Sequence, residues 1–316
     1  MATKVLSIVG PGRSGTTVLA GILGESEGAL SVGELRWLWR RGLLERRSCG
    51  CGLPPAECPL WSKVTARVLA RHPVAVSEIA AAQDEVATRR NRLRAIRSAY
   101  RRDTEWPALQ LVRGVTGDLV DAVAEEAGVH LIIDSSKRAQ DAAVLAGLDG
   151  VDQYVLQMVR DPGAVAFSWQ RKDKQIRVAE GTRAMATRRV VPSIARWVEN
   201  CLSAEALRRQ VPADRWLFVR YEDFAAAPRT TIAEVLAFLG EPATTSFTTE
   251  STVVLRPNHT VAGNPNRFKV GEITVRVDDE WRRGLPRASQ ALVRLLTWPL
   301  LLRYGYLRAR SSRLAR

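Results

Sequence analysis

The segment "PGRSGTT", residues 11 to 17, sets one arginine and three hydroxyls among glycines where an apolar run gives way to a helical pattern. Aligned with G-x-x-x-x-G-K-[ST], the stretch from Gly10 to Thr17 keeps both glycines, but Thr16 stands where the lysine of a triphosphate-binding loop belongs. Backbone N–H groups at such a helix start can still grip an anion, because the first four lack intrahelical partners and the helix dipole favours negative charge. What is missing is the ammonium that neutralises the γ end of a triphosphate. Arg13 lies at the tip of the turn, Gly12 and Gly15 relax the chain, and Ser14, Thr16 and Thr17 add hydroxyl donors. A guanidinium fork matches a tetrahedral oxyanion through two parallel hydrogen bonds. The loop therefore suits an anion less charged than ATP·Mg, and a phosphosulfate fits that description.

A second anion grip is expected in "MVRDPGAVAFSWQRK", residues 158 to 172. Arg160 ends an apolar run, and Asp161 and Pro162 are N-cap and first-turn signals for a helix starting just after it. Ser168 and Lys172 are four residues apart and share one helical face. Arg160, Ser168 and Lys172 can thus converge on one dianionic phosphate.

The elements that position these residues follow from the apolar runs. Residues 4 to 10, "LSVGEL", "HLIIDSSK" (130 to 137), "DQYVLQMVRDP" (152 to 162) and "RWLFVRYEDF" (215 to 224) read as short buried strands that end in polar residues. That is the pattern of a parallel sheet with its site at the carboxyl edge. Helical stretches alternate with the strands, so the fold class expected is α/β, a P-loop NTPase-like three-layer fold with a central, mostly parallel β-sheet and a helical cap. The chain reads as a single domain, residues 1 to 316, with 40 to 130 as the cap and acceptor region and 303 to 316 as a basic tail. The loop "RPNHTVAGNPNRFKVG", 256 to 271, is long enough to suggest function.

A net charge of +14 over 316 residues draws anions. Nucleic acid, an acidic membrane surface, a polyanionic polymer or a charged nucleotide all satisfy it. The arginines of "ATRRNRLRAIRSAYRR" read as a solvated helix face, and no nucleic-acid partner is expected. The apolar run "VLSIV" is too short for a secretory h-region, and a cytoplasmic protein is expected. "LLTWPLLL", 295 to 302, is far below membrane-spanning length and is bracketed by Arg294 and Arg303, which leaves peripheral membrane contact through a basic C-terminal helix. Cys49, Cys51 and Cys58 form a C-x-C-x6-C pattern without paired C-x2-C knuckles or nearby histidines. No metal is expected there; reduced thiols, or a local disulfide between Cys58 and one of the other two, both remain open.

The two anion segments resemble known ones. "PGRSGTT" resembles the 5′-phosphosulfate loop of sulfotransferases that use 3′-phosphoadenosine-5′-phosphosulfate (PAPS), in the actinobacterial-type branch related to the tyrosylprotein and heparan sulfate enzymes. "MVRDPGAVAFSWQRK" is similar to the 3′-phosphate segment of that family, and "HTVAGNPNRF" (259 to 268) to a late loop over the nucleotide. The resemblance implies PAPS as donor without a metal, and a hydroxyl or amine of a small molecule, glycolipid or carbohydrate as acceptor. It implies Glu34 as the base and Lys137 as the cation at the bridging or sulfuryl oxygen, with Arg13 assisting; the position of Glu34 at a strand end, partly buried beside Trp37, is expected to lift its pKa. It further implies nucleotide contacts from Tyr221 and, for the 3′-phosphate, from Arg267, with Gly263 and Asn264 shaping the turn. His259 is the second candidate base, because cytosolic sulfotransferases use a histidine. Their "RKGxxGDWK" segment is absent, and residues 40 to 130 match nothing, so the acceptor is not specified. Two other functions compete: a P-loop kinase using ATP·Mg with Asp134 as its metal-binding carboxylate, and a non-enzymatic polyanion or nucleic-acid binder.

Overall fold

Val5, Leu6, Ile8 and Val9 are all at least 99 % buried, which only a strand covered on both faces permits. The computed structural model describes residues 2–102, 105–171, 175–178, 181–184, 187–243 and 246–307. Its strands, in chain order, are β1 (Thr3–Val9), β2 (Ala29–Gly33), β3 (Leu131–Lys137), β4 (Val151–Val159), β5 (Gln175–Val178), β6 (Gly181–Ala184), β7 (Trp216–Arg220), β8 (Thr252–Leu255) and β9 (Gly271–Thr274). Five of them form a parallel sheet in the order β2-β3-β1-β4-β7, and β5-β6 and β8-β9 are separate antiparallel hairpins. The chain thus leaves β1 in one direction for β2 and β3 and in the other for β4 and β7. That reversal opens a crevice at the carboxyl end of β1, where ligands bind in sheets of this kind.

Helices cover both faces. On one side α1 (Thr16–Leu23) packs with the later α9 (Tyr221–Ala226) and α10 (Pro228–Leu239) on Leu6, Ile8, Ile133, Leu156 and Met158. On the other lie α2 (Trp61–Arg71), α3 (Val76–Val86), α4 (Arg92–Tyr100), α5 (Pro107–Ala127) and α6 (Ala139–Val144). Along the far half of the sheet run α7 (Pro162–Gln170), α8 (Val190–Arg208), α11 (Trp281–Gly284) and α12 (Arg287–Arg303). Val115, Leu119 and Val123 of α5 share one buried cluster with Val5, Val32 and Ile132 of the sheet and with Trp61 and Val64 of α2. Most of the region expected to be a cap is therefore a flanking layer of the sheet itself.

Two irregularities shape the carboxyl edge. Between β1 and β3 the register runs Ser7↔Asp134 and then Val9↔Lys137, one extra residue on β3, and between β2 and β3 it runs Ser31↔Ile133 and then Gly33↔Asp134, one extra on β2. Such bulges re-aim side chains at strand ends. The strand read over 215 to 224 stops at Arg220, and Tyr221 opens α9 instead. No helix among the described residues is long and apolar enough to cross a membrane. Leu295 and Trp298 of α12 are 69 % and 55 % exposed.

Candidate active site

All five parallel strands deliver residues to one cleft of about 1220 Å³. The phosphate-type loop follows β1, Glu34 follows β2, Lys137 ends β3, Arg160 follows β4 and Tyr221 follows β7. Twelve basic and four acidic side chains line it, so its field favours an anionic ligand.

The loop between β1 and α1 takes left-handed conformations at Gly10 (φ 135°), Arg13 (φ 70°) and Gly15 (φ 82°). At Gly10 a Cβ would stand 2.2 Å from the Met158 carbonyl oxygen, and at Gly15 one would stand 2.6 Å from the Tyr221 ring, so both glycines are required by contact as well as by dihedral. Arg13 accepts a conformation costing on the order of 1–3 kcal/mol for a residue with a side chain. Its guanidinium stacks 4.6 Å from the centre of Trp169, whose ring also meets Arg188 at 5.0 Å. Gly12, Arg13, Gly15, Thr16 and Thr17 line the cleft. Ser14 is fully buried, its Oγ has no hydrogen-bond partner, and it does not line the cleft, so a hydroxyl contact from Ser14 to a cleft ligand is not what this geometry provides.

Arg160 is 94 % buried and donates from Nη1 to the Arg13 carbonyl (3.2 Å) and from Nη2 to the Asp278 carboxylate (2.9 Å). Its guanidinium lies 4.3 Å from the Tyr221 ring centre, while its Nε is buried and unpaired. Asp161 caps α7 by accepting from the Gly163 N–H (2.7 Å), and Pro162 occupies the first turn, so the helix starts where the sequence signals it. One turn and a half later Ser168 is buried at the cleft wall. Lys172 lies outside the described residues.

At the other end Lys137 Nζ pairs with Glu34 Oε1 and donates to the Ser135 carbonyl (3.2 Å). Lys137 is itself left-handed (φ 73°), so two of the four residues with side chains that adopt positive φ among the described residues lie in this cleft. Burial is the largest influence on the Glu34 carboxyl and pushes its pKa up, as expected. The Lys137 charge and hydrogen bond, joined by Arg41 and Arg267, outweigh it, and the carboxyl ends below its ordinary range instead. Trp37 lines the same wall but is stacked by Arg41 (3.5 Å), Arg36 (3.9 Å) and Arg138 (5.6 Å).

Asp134 does not face the cleft. Its Oδ1 accepts from the Leu35 N–H (3.2 Å), the Ser136 N–H (2.9 Å) and the Ser136 hydroxyl (2.6 Å), which latches the end of β3 to the turn carrying Glu34. Burial lifts its pKa to about 6. A metal-binding carboxylate for a kinase is thus absent from this position.

The late loop closes the Glu34 end. A Cβ on Gly263 (φ 135°) would lie 3.7 Å from Thr17 Oγ1, 3.8 Å from Glu34 Oε1 and 3.9 Å from Arg267 Cδ, and Asn264 caps the turn that carries Arg267. Arg267 is buried and donates to the carbonyls of Thr260 (2.6 Å) and Ser48 (2.5 Å). Burial brings its pKa down to about 10. With both terminal nitrogens on main-chain carbonyls and its charge acting on Glu34, Arg267 lines the cleft and braces the Glu34 end of it. His259 does not line the cleft either. Its Nδ1 faces Cys58 Sγ (3.2 Å) and Cys49 Sγ (4.0 Å), so it is turned away from acceptor chemistry. The four cysteines are free, and Cys49, Cys51, Cys58 and His259 form a group able to hold a metal ion. Trp169 and Asp278 are the site members that sequence reading passed over. Trp169 adjoins Ser168 within a quoted segment, but nothing local marks Asp278, which is 118 residues from Arg160.

Residues 152–245 match the model of the sulfotransferase family. No curated protein sequence matches the chain. Among solved structures, the sulfotransferase domain of the curacin biosynthetic pathway aligns with 95 % of this chain and 98 % of its own at 16 % identity and a TM-score of 0.50. The sulfotransferase domain of the Synechococcus olefin synthase covers 95 % and 94 % at 21 % identity (TM-score 0.48), and a sulfotransferase from Alicyclobacillus acidocaldarius covers 96 % and 97 % at 15 % (TM-score 0.43). Arg160, Ser168 and Tyr221 thus lie within the stretch that matches the sulfotransferase-family model, and the fold is shared with a sulfotransferase domain.

Proposed function

We propose that the protein is a sulfotransferase that uses PAPS as donor and a hydroxyl or amine as acceptor. The observation that carries this reading is the convergence, at five parallel strand ends, of a lysine-less anion loop, a buried arginine and a paired glutamate and lysine in one basic cleft. Fit to the donor is supported by two features of the site. The loop turns tightly at Gly10 and Gly15, where a Cβ would collide with the Met158 carbonyl or the Tyr221 ring, and the buried Arg160 Nε lacks a partner.

When bound, PAPS supplies an activated sulfuryl group on a phosphate leaving group. The amides at the start of α1, with Thr16 and Thr17, hold the 5′ end, and Arg13 sits beside them. Arg160 and Ser168 hold the 3′-phosphate, with Tyr221 as the aromatic wall beneath the loop. Lys137 places its ammonium where charge develops on the leaving oxygen. Glu34 takes the proton of the acceptor as the new bond to sulfur forms and the old one breaks. The resting ion pair links these last two roles. While Lys137 is engaged with Glu34 the carboxylate is a weak base, and drawing the ammonium toward a leaving oxygen releases the burial effect, which raises the proton affinity of Glu34 when it is needed.

Calorimetry with the desulfated nucleotide, followed by transfer of sulfur label from PAPS, tests the reading. Saturable binding and label transfer that persists in EDTA are expected. Transfer of phosphorus from ATP·Mg instead, or flat titrations with folded protein, would replace it.

A further inference from the structure

The side-chain cluster behind the Glu34 wall has the composition and dimensions of a metal centre. Cys49, Cys51, Cys58 and His259 each offer one ligand atom, and the four atoms lie within 4.8 Å of one another. Cys49 Sγ and Cys58 Sγ are 3.8 Å apart, and His259 Nδ1 stands 3.2 Å from Cys58 Sγ and 4.0 Å from Cys49 Sγ. Zinc bonds of about 2.3 Å to sulfur and about 2.0–2.1 Å to nitrogen give a tetrahedron with edges of about 3.8 Å between sulfurs and about 3.6 Å between sulfur and nitrogen. The observed sulfur pair meets the first value, and the two histidine distances bracket the second. A disulfide needs about 2.05 Å, so this pair is not one.

The scaffold is fitted to the cluster. Cys49 donates its N–H to the Leu53 carbonyl (2.7 Å) and accepts from Gly52 (2.9 Å), a tight turn with Gly52 at φ 93°. The Gly50 N–H reaches the Thr260 carbonyl (2.8 Å), and Trp61 Nε1 holds the His259 carbonyl (2.6 Å). A Cβ on Gly50 would lie 2.0 Å from Asn258 Oδ1, so the two loops meet with no room for a side chain.

We infer that Cys49, Cys51, Cys58 and His259 bind one zinc ion in a closed Cys3His site. Four protein donors, three of them thiolates, complete the tetrahedron, so the ion has no open position and its role is structural. Three thiolates on a dication leave one negative charge, and the buried Arg267 guanidinium, bonded to the Ser48 carbonyl next to Cys49, stands close as its counter-charge. The ion joins the 49–58 loop to the loop 259–268, and that second loop carries Gly263 and Arg267 to the cleft. The site thus staples the wall on which Glu34 depends.

Untagged protein purified without chelator or added metal should contain about one equivalent of zinc by plasma mass spectrometry. Cys58→Ser and Cys51→Ser should lose it, and Cys201→Ser, altered in a separate core cluster, should retain it. Protein stripped with a mercurial reagent should take up cobalt(II) with sulfur-to-metal charge-transfer bands and the intense visible bands of a tetrahedral thiolate site. Should Cys58→Ser not fold, the wild-type metal content and cobalt spectrum decide, with Cys51→Ser as the milder variant at a partly exposed ligand. Wild type that carries no zinc and shows no such bands overturns the inference, as does a Cys49–Cys58 disulfide in metal-free protein that still binds nucleotide. None of the four ligands lines the cleft, so either result leaves the sulfotransferase reading standing on its own tests.

Discussion

The two ends of the cleft are built differently. At the phosphate-loop end, the amides of α1, Arg160 and Tyr221 all lie within a few residues of a strand terminus, and their placement follows from parallel strands and local dihedrals. At the Glu34 end, the wall is assembled from distant chain. The Glu34 N–H reaches the Ala262 carbonyl (3.3 Å), the Val261 N–H reaches the Val32 carbonyl (3.0 Å), and Arg267 ties the late loop to Ser48. A Cβ on Gly33 would stand 2.8 Å from the Ala262 oxygen. The difference separates two kinds of sensitivity. Under the proposed reading, anion binding rests on backbone that the sheet fixes, whereas proton transfer rests on tertiary contacts that one loop can lose.

Substitutions at each end put that division at risk. The largest effect is expected from Glu34→Gln, which keeps shape but cannot take a proton: kcat should fall about 10²- to 10⁴-fold with nucleotide affinity retained. A variant with normal turnover would remove Glu34 from the mechanism. Next comes Arg160→Ala. Hydrogen bonds to charged groups contribute about 1.5–3 kcal/mol, so desulfated nucleotide should bind roughly 10- to 150-fold more weakly by calorimetry. Arg267→Met supplies the contrast, because it strands the Ser48 carbonyl, leaves the Thr260 carbonyl with the Gly50 N–H alone, and should lower Tm while leaving nucleotide affinity near wild type. Equal loss of affinity in both variants would erase the division between the ends.

The smallest effect belongs to the latch. Asp134 has a folded pKa of about 6 against an ordinary 3.8, so the fold disfavours its ionised form and stability declines as pH rises from about 4 to about 6. Asp134→Asn retains an oxygen to accept from Leu35 and Ser136 but has no charge to bury. Its Tm relative to wild type should therefore climb across that interval and level off above it. A difference that does not change with pH would show that Asp134 is not titrating there.

What the sequence disclosed follows the same line. The glycine turn after β1, the cap at Asp161 and the strands leading to Glu34, Lys137, Arg160 and Tyr221 are short-range patterns, and short-range patterns are where periodicity and capping carry information. The bonds of Arg267 to Ser48 and Thr260 are not legible in the sequence, because they are chosen by packing between loops. The Cys49, Cys51 and Cys58 run looked incomplete because its histidine is 201 residues from Cys58. The direction of the Glu34 shift differs from the expectation for a related reason. Burial was legible from a neighbouring tryptophan, but the ammonium that overrides it arrives from β3, 103 residues on.

The ion pair between Arg160 and Asp278 has a consequence for how the cleft fills and empties. Asp278 is 36 % exposed at its side chain while Arg160 is nearly enclosed, so the carboxylate is the member free to swing aside. Under the proposed reading, an arriving phosphate exchanges with an internal counter-ion instead of entering a naked positive hole. Asp278 thereby offsets part of the positive charge around Arg160, and the spent nucleotide meets a competitor waiting at the door.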